Sequence, residues 1–149
     1  EIHGQLFDLM GLPRTPYAKI NIHVGAHYND KSLALGNFCR NFDRLSPSVQ
    51  HRLTVENDDK ASLYSTKELC EEVYSRIGIP VVHDFHHHTF CTGEVDQEEA
   101  LTMAAMTWGD VTPVNTYGLP VDVMLECKHK EIGLYKMQEL LQEQEKKAA

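Results

Sequence analysis

The chain has 149 residues, and its 22 Asp and Glu outnumber its 14 Lys and Arg, which gives a formal net charge of −8 at pH 7. This charge argues against a protein that coats nucleic acid through a generally basic surface, although basic side chains can still be concentrated around one site. No signal-like or membrane-spanning apolar run is present and the cysteines show no CxxC spacing, so we expect an intracellular protein with buried, reduced thiols at Cys39, Cys70, Cys91 and Cys127.

The first third of the chain is predicted to form a helix, a strand and a second helix. The opening helix runs through Leu6 to about Gly11. Residues 19–25, Lys-Ile-Asn-Ile-His-Val-Gly, alternate apolar and polar side chains as a half-buried strand does, and they bring His23 to the strand end. Apolar residues then recur at helical spacing from Lys31 to Phe42.

A second strand and helix follow in the same order. Residues 52–56, Arg-Leu-Thr-Val-Glu, form a strand-like run that ends in Glu56. Residues 57–60, Asn-Asp-Asp-Lys, come next, and they could contact phosphates or neighbouring histidines or simply cap the loop. A helix is predicted from Thr66 to Ile77, because a capping-box pattern starts it and Gly78 follows it.

The third strand is predicted to end within residues 81–88, Val-Val-His-Asp-Phe-His-His-His, where an apolar run leads to an aspartate and three histidines. If the strand pleat continued through this tract, His86 and His88 would point away from His87 as outward-facing or supporting groups. Helical spacing then resumes from Glu98 to Trp108.

Beyond Trp108 the pattern changes. Residues 109–114 begin as a strand, but no helix separates them from the next strand-like run, Val121 to Glu126. A last helix is predicted from about Lys128 to Lys146, with a partly apolar stripe and a charged end.

Alternation of strands and helices predicts an α/β fold with a parallel sheet, because parallel strands need a crossover connection. A doubly wound sheet would show a Gly-rich phosphate loop after its first strand, and none is present. We therefore predict a TIM (β/α)8-type barrel, treated as the single domain 1–149. Such barrels take about 200 to 250 residues, so we expect segments to be missing at the start and near Val114, which leaves the C-terminal part of a barrel.

Four of the strand-like runs end in a residue that can bind a metal ion. In TIM barrels the carboxyl ends of the strands meet at one face, and Asp, Glu and His are ligands that Zn²⁺ and Mn²⁺ accept. The histidine tract alone could be a surface cluster or a solvated loop. Its recurrence with other strand-end ligand types favours a divalent-metal site built from His23, Glu56, the 84–88 tract and Glu126.

The motifs at residues 19–25, 53–60, 78–88 and 124–130 together resemble the UV damage endonuclease family, which are TIM-barrel DNA repair nucleases. The Glu-Asn-Asp-Asp-Lys and Asp-x-His-His-His motifs are the most specific part of the resemblance. It implies incision of double-stranded damaged DNA immediately 5′ to lesions such as UV photoproducts, with a 3′-hydroxyl and a 5′-phosphate as products. The family relies on two or three divalent metal ions, commonly Mn²⁺, with Zn²⁺ as the alternative here.

Carried over residue by residue, the resemblance implies the metal ligands His23, Glu56, Asp84, His87 and Glu126. Glu56 and Glu126 would also be the catalytic carboxylates, since each offers two oxygens that can bridge neighbouring ions. We further expect a monomer.

Two parts of the family pattern are absent from this sequence. Family members carry an earlier strand-end histidine in a His-Pro-Gly motif, and a modified lysine with two more histidines between the strands that correspond to 111–114 and 121–125. Two alternatives therefore remain open. One is a divalent-metal sugar isomerase or epimerase of the same fold, and the other is a truncated barrel that binds metal or a partner without catalysing a reaction.

Overall fold

The computed structural model describes residues 1–109 of the chain. Glu126 and the predicted strand and helix around it lie outside the described residues, as does Cys127. The described elements, in chain order, are helix α1 (Ile2–Leu9), strand β1 (Ile20–Ile22), helices α2 (Lys31–Phe42) and α3 (Pro47–Gln50), strand β2 (Leu53–Glu56), helix α4 (Thr66–Leu69), a π-helical segment (Cys70–Tyr74), helix α5 (Ser75–Ile77), strand β3 (Val81–Val82), and helices α6 (Phe85–His88) and α7 (Gln97–Met106).

The three strands form one parallel sheet in the order β1-β2-β3. Asn21 pairs with Thr54 between β1 and β2, and Glu56 pairs with Val82 between β2 and β3. Helices connect the strands, so the predicted α/β architecture is confirmed. All three strands point the same way, and their carboxyl ends therefore lie at one edge of the sheet.

The two faces of the sheet differ in chemistry because successive side chains of a strand point to opposite faces. The apolar side chains of the strands lie on one face and belong to the core, which also includes residues of α2 and of the helical stretch 66–77. Its fully or nearly fully buried members are Leu35, Cys39, Leu53, Val55, Tyr64, Leu69, Val73, Ile79, Val81 and Ala104. The other face carries the polar residues Asn21 and Thr54, and it leads towards His23 and Glu56 at the strand ends.

Local signals account for most helix boundaries. Asp30 accepts a hydrogen bond from the Leu33 amide and starts α2, whose bounds agree with the prediction. Ser65 and Glu68 form a reciprocal capping box at the start of α4. Gly78 ends α5 with a φ of 70°, a left-handed conformation that glycine adopts without steric cost.

Several predicted boundaries are corrected by the structure. The helix predicted at 66–77 contains the π-helical segment Cys70–Tyr74, and helix α3 was not predicted. The helix predicted at 98–108 is observed as Gln97–Met106, because the Asp96 side chain caps it one residue earlier by accepting from the Glu99 amide.

Arg52 anchors α1 and the following loop to the start of β2. Its side chain is completely buried, and its guanidinium donates to the carbonyls of Leu12, Pro13 and Ser48 and to the Ser48 hydroxyl. It also pairs with the Asp8 carboxylate at 2.8 Å. Arg14 and Arg52 both donate to this carboxylate, and they hold the pKa of Asp8 well below its usual range.

None of the helices within residues 1–109 combines the length and the apolar character needed to cross a membrane.

Candidate metal centre

The candidate ligands lie where the three strands end. His23 follows β1 directly, Glu56 is the last residue of β2, and Asp84 comes two residues after β3. The parallel register places these ends side by side, since Ile22 pairs with Val55 and Glu56 pairs with Val82.

Three of the predicted ligands form a compact donor group. One donor atom each from His23, Glu56 and His87 lies within 4.8 Å of the others. The Glu56 Oε1 atom is 4.0 Å from His23 Nε2 and 3.5 Å from His87 Nδ1. Asp84 Oδ2 is 3.9 Å from His87 Nε2, so the fourth ligand predicted within residues 1–109 lies beside the group. The structure thus brings these four side chains together, and Glu126 lies outside the described residues.

The turn that presents His87 differs from the predicted strand. Residues Phe85–His88 form the one-turn helix α6, because the Asp84 side chain accepts a hydrogen bond from the His87 amide at 2.7 Å and caps the turn. The strand pleat therefore does not continue through the tract, and His86 and His88 do not flank His87 on the opposite face of a strand. His86 is exposed, whereas His88 is 3% exposed and packs against the His83 ring.

Asn57 holds the Asp84 turn in place. This side chain is completely buried, its Nδ2 donates to the Asp84 carbonyl at 3.0 Å, and its Oδ1 accepts from the Asp84 amide at 2.7 Å. The backbone carbonyl of Asn57 contacts His87 Nδ1 at 2.9 Å. Asn57, whose side chain does not titrate, therefore fixes two candidate ligands, Asp84 and His87.

The hydrogen bond to the Asn57 carbonyl also determines the form of the His87 ring. A carbonyl oxygen only accepts, so Nδ1 carries a proton in this contact, and Nε2 is the nitrogen that a neutral ring would offer to a metal. His23 has a comparable arrangement, since its Nδ1 lies 3.5 Å from the Asp58 carboxylate. Asp58 in turn accepts from the Tyr64 amide at 3.3 Å. Such partners orient metal-binding histidines.

Burial raises the pKa values of both Glu56 and Asp58, and the neighbouring His23 opposes this rise at each carboxyl group. Protons therefore compete with a cation for the site at higher pH than they would at an exposed carboxylate.

His83 and His88 form a second pair of histidines, with ring centroids 5.2 Å apart. The His83 Nδ1 atom contacts the Thr66 hydroxyl at 2.8 Å, and its Nε2 contacts the Gln97 amide nitrogen at 3.0 Å. An amide nitrogen only donates, so Nε2 is unprotonated and the ring is neutral. Burial, followed by the proximity of His88, lowers the pKa of His83 to about 4.

This neutral histidine leads to a prediction about pH. The folded-state pKa of about 4 lies below the ordinary value of 6.5, so the unfolded chain binds more protons in this interval. The stability that His83 contributes is complete above pH 6.5 and is lost as the pH falls towards 4, by up to about 3 kcal/mol. We expect His83→Gln to flatten the pH dependence of the free energy of unfolding in that window, measured by urea denaturation with a chelator present. The raised pKa values of Glu56 and Asp58 change stability with pH in the opposite direction, but they do so equally in the wild type and in His83→Gln. A slope that is the same in the two proteins would contradict the lowered pKa of His83.

The sequence comparisons identify related proteins. The family model described as UV-endonuclease UvdE matches residues 1–117. The UV DNA damage endonuclease of Bacillus velezensis is 38% identical over 110 residues, which cover 71% of this chain and 32% of that protein. The UV-damage endonuclease of Neurospora crassa is 39% identical over 94 residues, which cover 61% of this chain and 14% of that protein.

A solved structure shares the fold. The crystal structure of SacUVDE matches with a TM-score of 0.80 and 32% sequence identity, over 97% of this chain and 56% of that one. The match confirms the predicted TIM-barrel-type fold. The chain spans about a third of the length of its bacterial relative and about half of the SacUVDE chain.

Proposed function

Because the chain belongs to the UV-endonuclease UvdE family, we propose that its strand-end cluster is a divalent-metal centre for the incision of UV-damaged duplex DNA. The observation that carries this proposal is the convergence of His23, Glu56 and His87 donor atoms within 4.8 Å at the carboxyl ends of neighbouring strands. The proposed reaction is hydrolysis of a phosphodiester bond on the 5′ side of the lesion.

The residues present fit a metal ion. Zinc ligands lie about 2.0 to 2.2 Å from the ion, so two donors on the same ion are at most about 4.4 Å apart. The separations of 4.0 Å for His23 and Glu56 and 3.9 Å for His87 and Asp84 satisfy this limit. Within residues 1–109, the ion pairs of Glu56 and Asp84 involve only histidines, so no Lys or Arg neutralises these carboxylates.

The donor set favours a borderline metal. Imidazole nitrogens suit Zn²⁺, and carboxylates suit Mn²⁺ and allow ions to lie close together. We propose two or three ions, held by His23, Glu56, Asp84 and His87 together with Glu126, with Mn²⁺ as the first choice. When bound, such ions polarise the phosphodiester and supply positive charge that the acidic chain lacks.

The protein's own groups have distinct roles in this proposal. Glu56 and Asp84 provide the negative charge that binds cations, while the Asn57 carbonyl and the Asp58 carboxylate lie beside Nδ1 of His87 and of His23, so that Nε2 of each ring would face the cation. Fixed donors do not have to reorganise when the substrate arrives, which is the main contribution of a protein scaffold to electrostatic catalysis.

The experiment is incision of supercoiled plasmid by the purified chain. We expect conversion to the nicked form with UV-irradiated plasmid and Mn²⁺, and none with unirradiated plasmid or with a chelator. An end-labelled duplex with a single photoproduct would then locate the cut on the 5′ side. Equal nicking of irradiated and unirradiated DNA would contradict the proposal, and metal binding without any nicking would favour the non-catalytic alternative. The sugar isomerase alternative has no support from the family or from its relatives.

A further inference from the structure

Beneath the candidate ligands lies a pair of polar residues that the sequence analysis did not single out. Asn21 of β1 and Thr54 of β2 are partners in the sheet register. His23 and Glu56 come two residues later on the same two strands, and side chains two apart point to the same face. Asn21 and Thr54 therefore form the layer directly below His23 and Glu56.

Hydrogen bonds connect this layer to the centre. The Thr54 hydroxyl donates to Asn21 Oδ1 at 2.9 Å, and Asn21 Nδ2 donates to Glu56 Oε2. The first bond determines the second, because an amide whose oxygen accepts from Thr54 must turn its NH₂ group towards Glu56. Glu56 Oε1 meanwhile faces both histidines, at 4.0 Å from His23 and 3.5 Å from His87.

The burial of the two residues differs in a useful way. Thr54 is completely buried, whereas Asn21 is exposed. Loss of the Thr54 hydroxyl would therefore leave an Asn21 oxygen that water can reach, with little cost in folding free energy. Loss of this hydroxyl would instead remove the contact that determines which way the Asn21 side-chain amide is turned.

We propose that Asn21, oriented by Thr54, is a positioning residue that fixes the Glu56 carboxylate for metal binding. This inference rests on the proposed function, since it assigns a role towards the same metal centre. Each carboxylate oxygen has two lone-pair sites, so the Asn21 hydrogen bond leaves Glu56 able to bind ions. Without the bond, Glu56 must lose rotational freedom when the ion binds, and affinity falls.

The test compares Thr54→Val with Thr54→Ser. Valine keeps the branched shape and removes the hydroxyl, while serine keeps the hydroxyl and removes a buried methyl group. We expect Thr54→Ser to be the less stable variant in urea but to bind Co²⁺ as the wild type does, and Thr54→Val to be the more stable variant but to bind Co²⁺ more weakly. A purely structural role would make stability and affinity change in the same order.

A direct variant and a control complete the test. Asn21→Ala should weaken Co²⁺ binding about 10-fold or more and alter the visible absorption bands of the bound ion, because supporting contacts of metal ligands typically contribute 10- to 100-fold in affinity. Asn41→Ala, at an exposed residue whose side chain accepts a hydrogen bond from Arg44, should change neither the affinity nor the absorption bands. Wild-type affinity and bands in both Asn21→Ala and Thr54→Val would overturn the inference and leave the proposed function intact. Absence of saturable Co²⁺ binding by the wild type would overturn both.

Discussion

Replacing Glu56 by glutamine is expected to abolish metal binding and, with it, metal-dependent incision. The substitution preserves shape and removes the charge from the residue that faces both histidines, at 4.0 Å and 3.5 Å. Because loss of a supporting contact alone weakens metal binding by 10- to 100-fold, loss of this ligand should weaken it by more than about 100-fold. Isothermal titration with Mn²⁺ measures the binding, and plasmid nicking measures the incision.

The same variant should not lose stability. Burial raises the pKa of Glu56, which means that the charged carboxylate is disfavoured in the metal-free fold. Glu56→Gln removes that penalty, so the metal-free variant should unfold at a urea concentration no lower than that of the wild type. Glu72→Gln is a matched control, because Glu72 pairs with Arg76 at the helix surface, far in the fold from the strand-end ligands, and this is its one ion pair within residues 1–109. Wild-type Mn²⁺ affinity in Glu56→Gln would contradict the ligand assignment.

Replacing Arg52 by methionine is expected to produce a large loss of stability. The guanidinium is completely buried and satisfies the carbonyls of Leu12, Pro13 and Ser48. The Ser48 carbonyl and hydroxyl are buried acceptors, and each one left without a partner costs about 1 to 3 kcal/mol, so the total should be roughly 2 kcal/mol or more. Urea unfolding followed by circular dichroism measures this change.

Two further variants make the Arg52 prediction specific. Arg44→Met removes an arginine whose guanidinium, among the described residues, donates to the side chain of the exposed Asn41 alone, and it should leave the free energy of unfolding nearly unchanged. Arg52→Lys keeps the charge but cannot reach all of the acceptors, so its stability should lie between those of the wild type and Arg52→Met. A loss in Arg52→Met no larger than that in Arg44→Met would show that the buried network contributes little.

The elements that the sequence predicts well are those governed by local patterns. Alternation in residues 19–25 predicted β1 because Ile20 and Ile22 face the core while Asn21 and His23 face the site. The bounds of α2 agree with the prediction because Asp30 supplies a cap at the residue before it. The gathering of His23, Glu56, Asp84 and His87 followed from a general property of parallel sheets, whose strands end at a common edge.

The predictions fail where a local capping interaction interrupts a strand, and where contacts join residues that are far apart in the sequence. After Val82 the chain could have continued as a strand, but the Asp84 side chain caps a helical turn and so redirects the histidine tract. The aspartate three residues before His87 was a usable signal for that turn. By contrast, the partners of Arg52 lie in part about 40 residues away, and the relation of Asn21 to Thr54 depends on the strand register. No single-sequence pattern encodes these contacts.

The most direct test of the metal centre is anomalous X-ray diffraction from crystals of the chain grown with MnCl₂. We expect an anomalous peak about 2.2 Å from donor atoms of Glu56 and of at least one of His23 and His87, and the loss of this peak in Glu56→Gln. No peak at the strand ends, or a peak that remains in the variant, would contradict the assignment of this cluster as the metal centre.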